Sequence, residues 1–257
     1  MKKVMLSCAL LISAVVASAI PWSPDAYRHS SALIRAGKLT EARAYLDTIE
    51  GVSGTVAIFR AWADKVDENI DASTVEKLSA IVNTYNTAQG FTGTQLKNAN
   101  DYTILWIYTH GVNDYEAGLA YYNTLENPSA SCVARAVVAL QQLGRADEAI
   151  ALAVAHKNWY AAFNAVNAKK DKVKTFEYGK ELLLSSYQKA PVVVRVLNAI
   201  GNYDYTDTAI TKEIQIDFLK AVDVKYRRFM ATDEVTWKPI LAGVLYSLKS
   251  LGVEVVE

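Results

Sequence analysis

ASCVARAVVALQQLGRADEAIALAVAH, residues 130–156, decides what kind of fold this chain makes. Its apolar residues Val133, Ala136, Val137 and Leu140 recur at helical intervals, which aligns them on one face of a helix and would scatter them across both faces of a strand. Gly144 then interrupts, and Ala146, Ala149, Ile150 and Val154 begin a second stripe. A Gly readily takes the left-handed conformation that ends a helix. The acids Asp147 and Glu148 that follow it suit the positive end of the next helix dipole. The stretch reads as two helices joined by a tight turn.

The same signature recurs in Gly37-Lys-Leu-Thr-Glu41-Ala42 and, with one extra residue, in Gly111-Val-Asn-Asp-Tyr-Glu116-Ala117. Thr40, Asp114 and Asp147 are placed to accept hydrogen bonds from the free N–H groups of the second helix. Ala42, Ala117 and Ala149 are expected to be buried where the two helices of a hairpin touch. Periodicity predicts helices over 24–36, 39–49, 54–67, 72–88, 94–110, 113–126, 129–143, 145–157, 159–169, 171–189, 191–200, 208–229 and 235–251. Pro128, Pro191 and Pro239 each fit a first helical turn, where the missing N–H costs nothing. Loops at 89–93 and 201–207 are too short to be linkers, so residues 20–257 read as a single domain.

Residues 26–49 and 134–154 resemble tetratricopeptide repeats, in which a Gly closes the first helix and an Ala begins the packed second one. Residues 102–125 resemble them more loosely, and the clear resemblance covers about a third of the chain. A further copy is expected near Ala80, and Gly179 and Ala209 continue the series of small residues. The family's large aromatic near the start of the first helix and its terminal Pro are mostly missing. The resemblance implies an all-α fold, a right-handed superhelix of stacked helix–turn–helix repeats. It also implies a concave face, lined by first helices, that binds a protein or peptide partner. Counting back from Ala42 and Ala117 in the family's register gives Tyr27, Arg35, Tyr102, Trp106 and His110 as contact positions. Aromatic rings bring contact area at low entropic cost, and Arg35 would pair with a carboxylate on the partner.

The N-terminus carries an address. Lys2 and Lys3 precede an apolar run over 4–16 that ends at Ala17-Ser18-Ala19, the pattern of a signal peptide cleaved after Ala19. Export to a periplasm or beyond is expected, and Cys8 lies too early in the run to be a lipid anchor. The full chain has 27 basic and 27 acidic residues; without Lys2 and Lys3 it has 25 against 27. That balance argues against a nucleic-acid or anionic-membrane surface, and no second long apolar run offers a membrane span. Cys132 would then be the lone cysteine, expected as a small buried side chain.

No motif of a hydrolase, phosphate loop, zinc site or dinucleotide fold is present, so neither metal nor cofactor is expected. His110 and His156 fall near expected helix C-termini, where the dipole favours them. The run Lys225-Tyr-Arg-Arg-Phe229 reads as the solvated end of a helix, and the acids Asp64, Asp67 and Glu68 as an exposed face. The function expected is a non-catalytic interaction scaffold of the cell envelope. The alternative is an envelope enzyme acting on glycan or cell-wall material, with facing acids in the superhelix groove.

Overall fold

A computed structural model describes residues 20–50, 54–185, 188–206 and 208–255; the expected signal peptide at 1–19 lies outside them. The described residues are all-α, with thirteen α-helices close to the ranges expected. The one departure is a parallel pair of two-residue strands, β1 (Ile20–Pro21) and β2 (Ile49–Glu50). No described helix is long and apolar enough to cross a membrane. The helices form two compact units that meet in sequence between Ile107 and Tyr108.

The first unit holds α1 (Pro24–Arg35), α2 (Leu39–Asp47), α3 (Gly54–Val66), α4 (Val75–Ala88) and α5 (Gly93–Trp106). Its centre is α3, which packs on α1, α2, α4 and α5. The sequence of α3 explains why: Val56, Ala57, Ile58, Phe59, Ala61, Trp62 and Ala63 are all buried, so apolar residues cover most of its circumference. Phe59, Trp62 and Trp106 form an aromatic centre with ring centroids 5.5–5.7 Å apart. Trp106 is 5% exposed. It is a core residue, and this removes it from the expected contact strip.

The second unit begins inside a π-helical turn (Ile107–Gly111), at Tyr108, and goes on to α6 (Tyr115–Tyr122). It continues with α7 (Ala130–Gln142), α8 (Ala146–Ala155), α9 (Trp159–Ala168), α10 (Lys172–Ser185), α11 (Ala190–Gly201), α12 (Lys212–Arg227) and α13 (Glu234–Ser250). From α6 to α11 each helix packs on the next, and α7 also touches α9. Cys132 is fully buried in α7, as expected.

One turn recurs along the chain. In α1–α2, α7–α8, α8–α9 and α9–α10, a single left-handed residue separates two helices: Gly37, Gly144, Lys157 and Lys170. Each donates its N–H three residues back, and the following residue donates five residues back, as in Gly144 to Gln141 and Arg145 to Leu140. Those two bonds satisfy the last carbonyls of the helix. The residue after the left-handed one is also the N-cap of the next helix, and the residue four further on is small and fully buried: Ala42, Ala149, Ala162 and Thr175. The turns at 144, 157 and 170 are spaced by thirteen residues, so two helices take twenty-six, short of the tetratricopeptide period of about 34.

The third expected hairpin keeps the left-handed residue and the small buried residue in a different register, while its Asp114 N–H donates six residues back, to Tyr108. Its left-handed residue is Asn113, not Gly111, which lies in the π turn. The buried small residue is therefore Gly118, where an added Cβ would lie 3.1 Å from Thr109 Cγ2 and 3.4 Å from Tyr108 Cβ. Ala117 is only half-buried. Near Ala80 the buried residues are Leu78 and Val82, both large, while Ala80 is exposed on α4, and Ala209 lies exposed in a loop. Gly179 is buried on α10, but against Ile200 and Val196 of α11 and not at a turn register position.

Of the expected caps, Asp114 accepts from Ala117 N at 3.0 Å. Thr40 and Asp147 lie past the N-caps Lys38 and Arg145, which make no side-chain cap. Asn158 and Asp171, which periodicity alone did not single out, accept from Ala161 N and Lys174 N. Pro191 sits in a first turn, whereas Pro239 lies inside α13, because that helix starts earlier, behind the Asp233 cap.

A lysine held in the left-handed region strains its Cβ against the next carbonyl by about 1–2 kcal/mol. Lys157→Gly relieves that strain and adds unfolded-state entropy, for a net gain of about 0.5–1 kcal/mol. Urea denaturation checks this, and a loss of stability would contradict the turn geometry.

Candidate functional site

Three of the five expected contact residues converge on the aromatic centre of the first unit. Tyr27 meets Phe59 edge-on at 5.1 Å, with Trp22 beside both. Arg35 lays its guanidinium over the Trp62 ring at 5.2 Å and donates from Nε to Ser31 Oγ at 3.3 Å. Trp106 lies beneath, against Phe59 and Trp62. Tyr102, one turn before Trp106 on α5, is half-buried. Positions aligned as an open groove thus form a supported rim: the rings fill the centre, and Arg35 remains exposed above it. His110 belongs to the second unit, half-buried in the π turn.

Beside this rim, a polar clamp joins three helices. Arg43 of α2 donates to Asp64 Oδ1 of α3 from Nη2 at 2.7 Å and from Nε at 3.2 Å, and reaches Asp67 at 2.8 Å. Tyr85 of α4 donates to Asp64 Oδ2 at 2.5 Å. Asp64 is almost fully buried, so its charge requires these partners. Burial opposes the charge on Arg43, but hydrogen bonds and attraction from Asp64 and Asp67 outweigh it and hold its pKa above the ordinary value. Hydrogen bonding from the Asn69 backbone, then from Arg43, holds Asp67 below the usual carboxylate range. Asp64 and Asp67 do not form the solvated face expected of them, whereas Glu68 is exposed as expected. Both aspartates bind Arg43.

The other candidates also have structural partners. His156 caps the C-terminus of α8 and lies 3.4 Å from the Tyr122 hydroxyl. His110 is in the last turn of its segment, as expected. The basic run is largely engaged: Lys225 donates to the carbonyls of Leu183 and Leu184 at 2.7 and 3.1 Å, and Tyr226 donates to Leu183 at 3.1 Å. Arg227 pairs with Asp223, and Arg228 lies over the Phe229 ring. Among the described residues no group of His, Cys, Asp and Glu could hold a metal ion. Comparison with protein-family models, with curated proteins and with solved structures finds nothing that matches this chain.

Burial, and then the bond to Asp64, push the Tyr85 phenol up to about 12. The folded chain therefore holds this proton more tightly than the unfolded chain, whose phenols titrate near 10. The resulting stability is complete below pH ~10 and is lost as pH rises through about 12. Tyr85→Phe should remove about 1 kcal/mol of the alkaline loss between those limits, after discounting for partial exposure. Urea stability of both proteins, measured at steps from pH 9 to about pH 12, checks this. Identical slopes would contradict it.

Proposed function

We propose that this chain is a non-catalytic interaction module of the cell envelope, exported by its N-terminal segment. It binds a protein or peptide partner through Tyr27 and Arg35, which sit on the aromatic centre, and through Tyr102. The single observation that carries this reading is the seating of Arg35: an exposed guanidinium stacked on the buried Trp62 ring. Long side chains lose entropy when a partner fixes them, and one already held against a ring loses less. Arg and Tyr so supported are the residue types that dominate binding energy at interfaces. Trp106 serves as the foundation of this surface, below the partner's reach. The stacking of hairpins as a tetratricopeptide-like right-handed superhelix belongs to the same proposal. Its support is the recurring turn, with a period shorter than that family's.

The partner side of the contact is expected to carry a carboxylate for Arg35, since a guanidinium offers a planar two-donor edge that Lys lacks. Photo-crosslinking in the native cells tests the proposal, with the photoreactive residue placed at position 35 or, as a control, at exposed position 246. A discrete adduct is expected from position 35 and not from 246. In the same extracts Arg35→Ala should reduce co-purification of that species about tenfold or more while shifting stability by less than about 1 kcal/mol. Trp106→Ala, by contrast, should cost about 3–5 kcal/mol of stability. The same adducts from both positions, or unchanged co-purification with Arg35→Ala, would contradict the proposal.

A further inference from the structure

The second unit contains a cavity of about 700 Å³ between α11, α12 and α13, floored by Phe176 of α10. Its size falls within the range of about 300–1,000 Å³ typical of small-molecule sites. Its wall is mainly aliphatic and aromatic, with Leu197, Ile200, Phe218 and Ile240 among its members. Its polar members are Asn198, Asn202, Gln215, Ser247 and Ser250, with Tyr203 and Tyr205. None of its nineteen lining residues is an Asp, Glu, Lys, Arg or His, in a chain where 21% of residues are charged.

The helix that forms one side, α13, is built to leave this space open. Pro239, Gly243 and Ser247 follow one another at four-residue steps and so share a face, and all three line the cavity. Pro239 lies inside the helix, where it removes a backbone hydrogen bond, and Gly243 weakens a helix without a left-handed turn to justify it. A Cβ added at Gly243 would meet nothing within 4 Å. A larger residue would fit at this exposed position and reduce the space.

We propose that this cavity binds an uncharged amphiphile, with its apolar body against Phe176, Phe218 and Ile240 and a hydrogen-bonding end among the amides. The absence of charge from the wall selects the ligand class. A carboxylate, phosphate or ammonium seated here would find no opposite charge on the wall to offset the hydration it loses, whereas an amide, ester, ketone or alcohol needs only one or two hydrogen bonds. The site does not rest on the Tyr27–Arg35 rim, and either reading can fail alone.

The test uses two fluorescent probes that differ in charge: neutral N-phenyl-1-naphthylamine and its sulfonated relative 8-anilino-1-naphthalenesulfonate. The neutral probe should saturate one site per chain and bind at least about tenfold more tightly than the sulfonate. Gly243→Leu fills the space from an exposed helix position and should weaken the neutral probe by about tenfold or more, with the thermal melt unchanged or raised. Ser247→Leu repeats the test from the next turn, and Tyr246→Ala, exposed on α13 and outside the wall, should leave binding unchanged. Equal affinity for both probes, absence of saturation, or full binding by folded Gly243→Leu and Ser247→Leu proteins would overturn the proposal.

Discussion

The close approach of consecutive helices across a three-residue turn is the constraint from which the rest follows. One left-handed residue ends a helix, the next caps its successor, and the chain reverses with no slack. The fourth helical residue after the cap then lies against the helix just completed. A large side chain there would hold the two axes apart, so the position takes Ala42, Gly118, Ala149, Ala162 or Thr175. Two hydrogen bonds at the turn leave few carbonyls unsatisfied, which lets the chain reverse at short intervals.

Regions that lack this turn are held by other means. Between α2, α3 and α4 the joint is the Arg43–Asp64–Tyr85 clamp, which compensates a buried carboxylate with a guanidinium and a phenol. At the C-terminal end, Tyr226 stacks on Trp237 with ring centroids 5.3 Å apart and binds a carbonyl of α10 through its hydroxyl. Lys225 binds the same carbonyl, so the end of one helix is capped by side chains of another. Burial lowers the pKa of that ammonium. The cavity lies in this same region, where α11, α12 and α13 no longer follow the close-packed rule.

The helices were readable from periodicity because most have a clear apolar face, as α7 does with Val133, Ala136, Val137 and Leu140. The turns were readable only where Gly marked them. Lys157 and Lys170 adopt the same left-handed conformation without the residue that advertises it, so two of the most regular hairpins carried no signal. Gly111 had the opposite effect: a glycine inside a π turn suggested a register one residue away from the real one. The expected site was partly readable. Aligning Tyr27, Arg35 and Trp106 did locate residues that meet, since first-helix positions face a common neighbour. Pattern alone could not tell that the neighbour was the aromatic side of α3, on which Tyr27, Arg35 and Trp106 pack. The cavity has one legible sign, Pro239 and Gly243 inside a helical run; Pro239 by itself fits a first turn, and a lone Gly in a helix does not announce a space.

The turn-and-contact rule is tested most directly where the two registers disagree, by the urea midpoints of Ala117→Leu and Gly118→Leu. The structure puts Gly118 against Thr109 and Tyr108 and leaves Ala117 half-buried. Gly118→Leu should therefore lose about 2 kcal/mol or more from overpacking, despite the better helix propensity of Leu. Ala117→Leu should stay within about 1 kcal/mol of the parent. A severe loss from Ala117→Leu with Gly118→Leu tolerated would contradict the account.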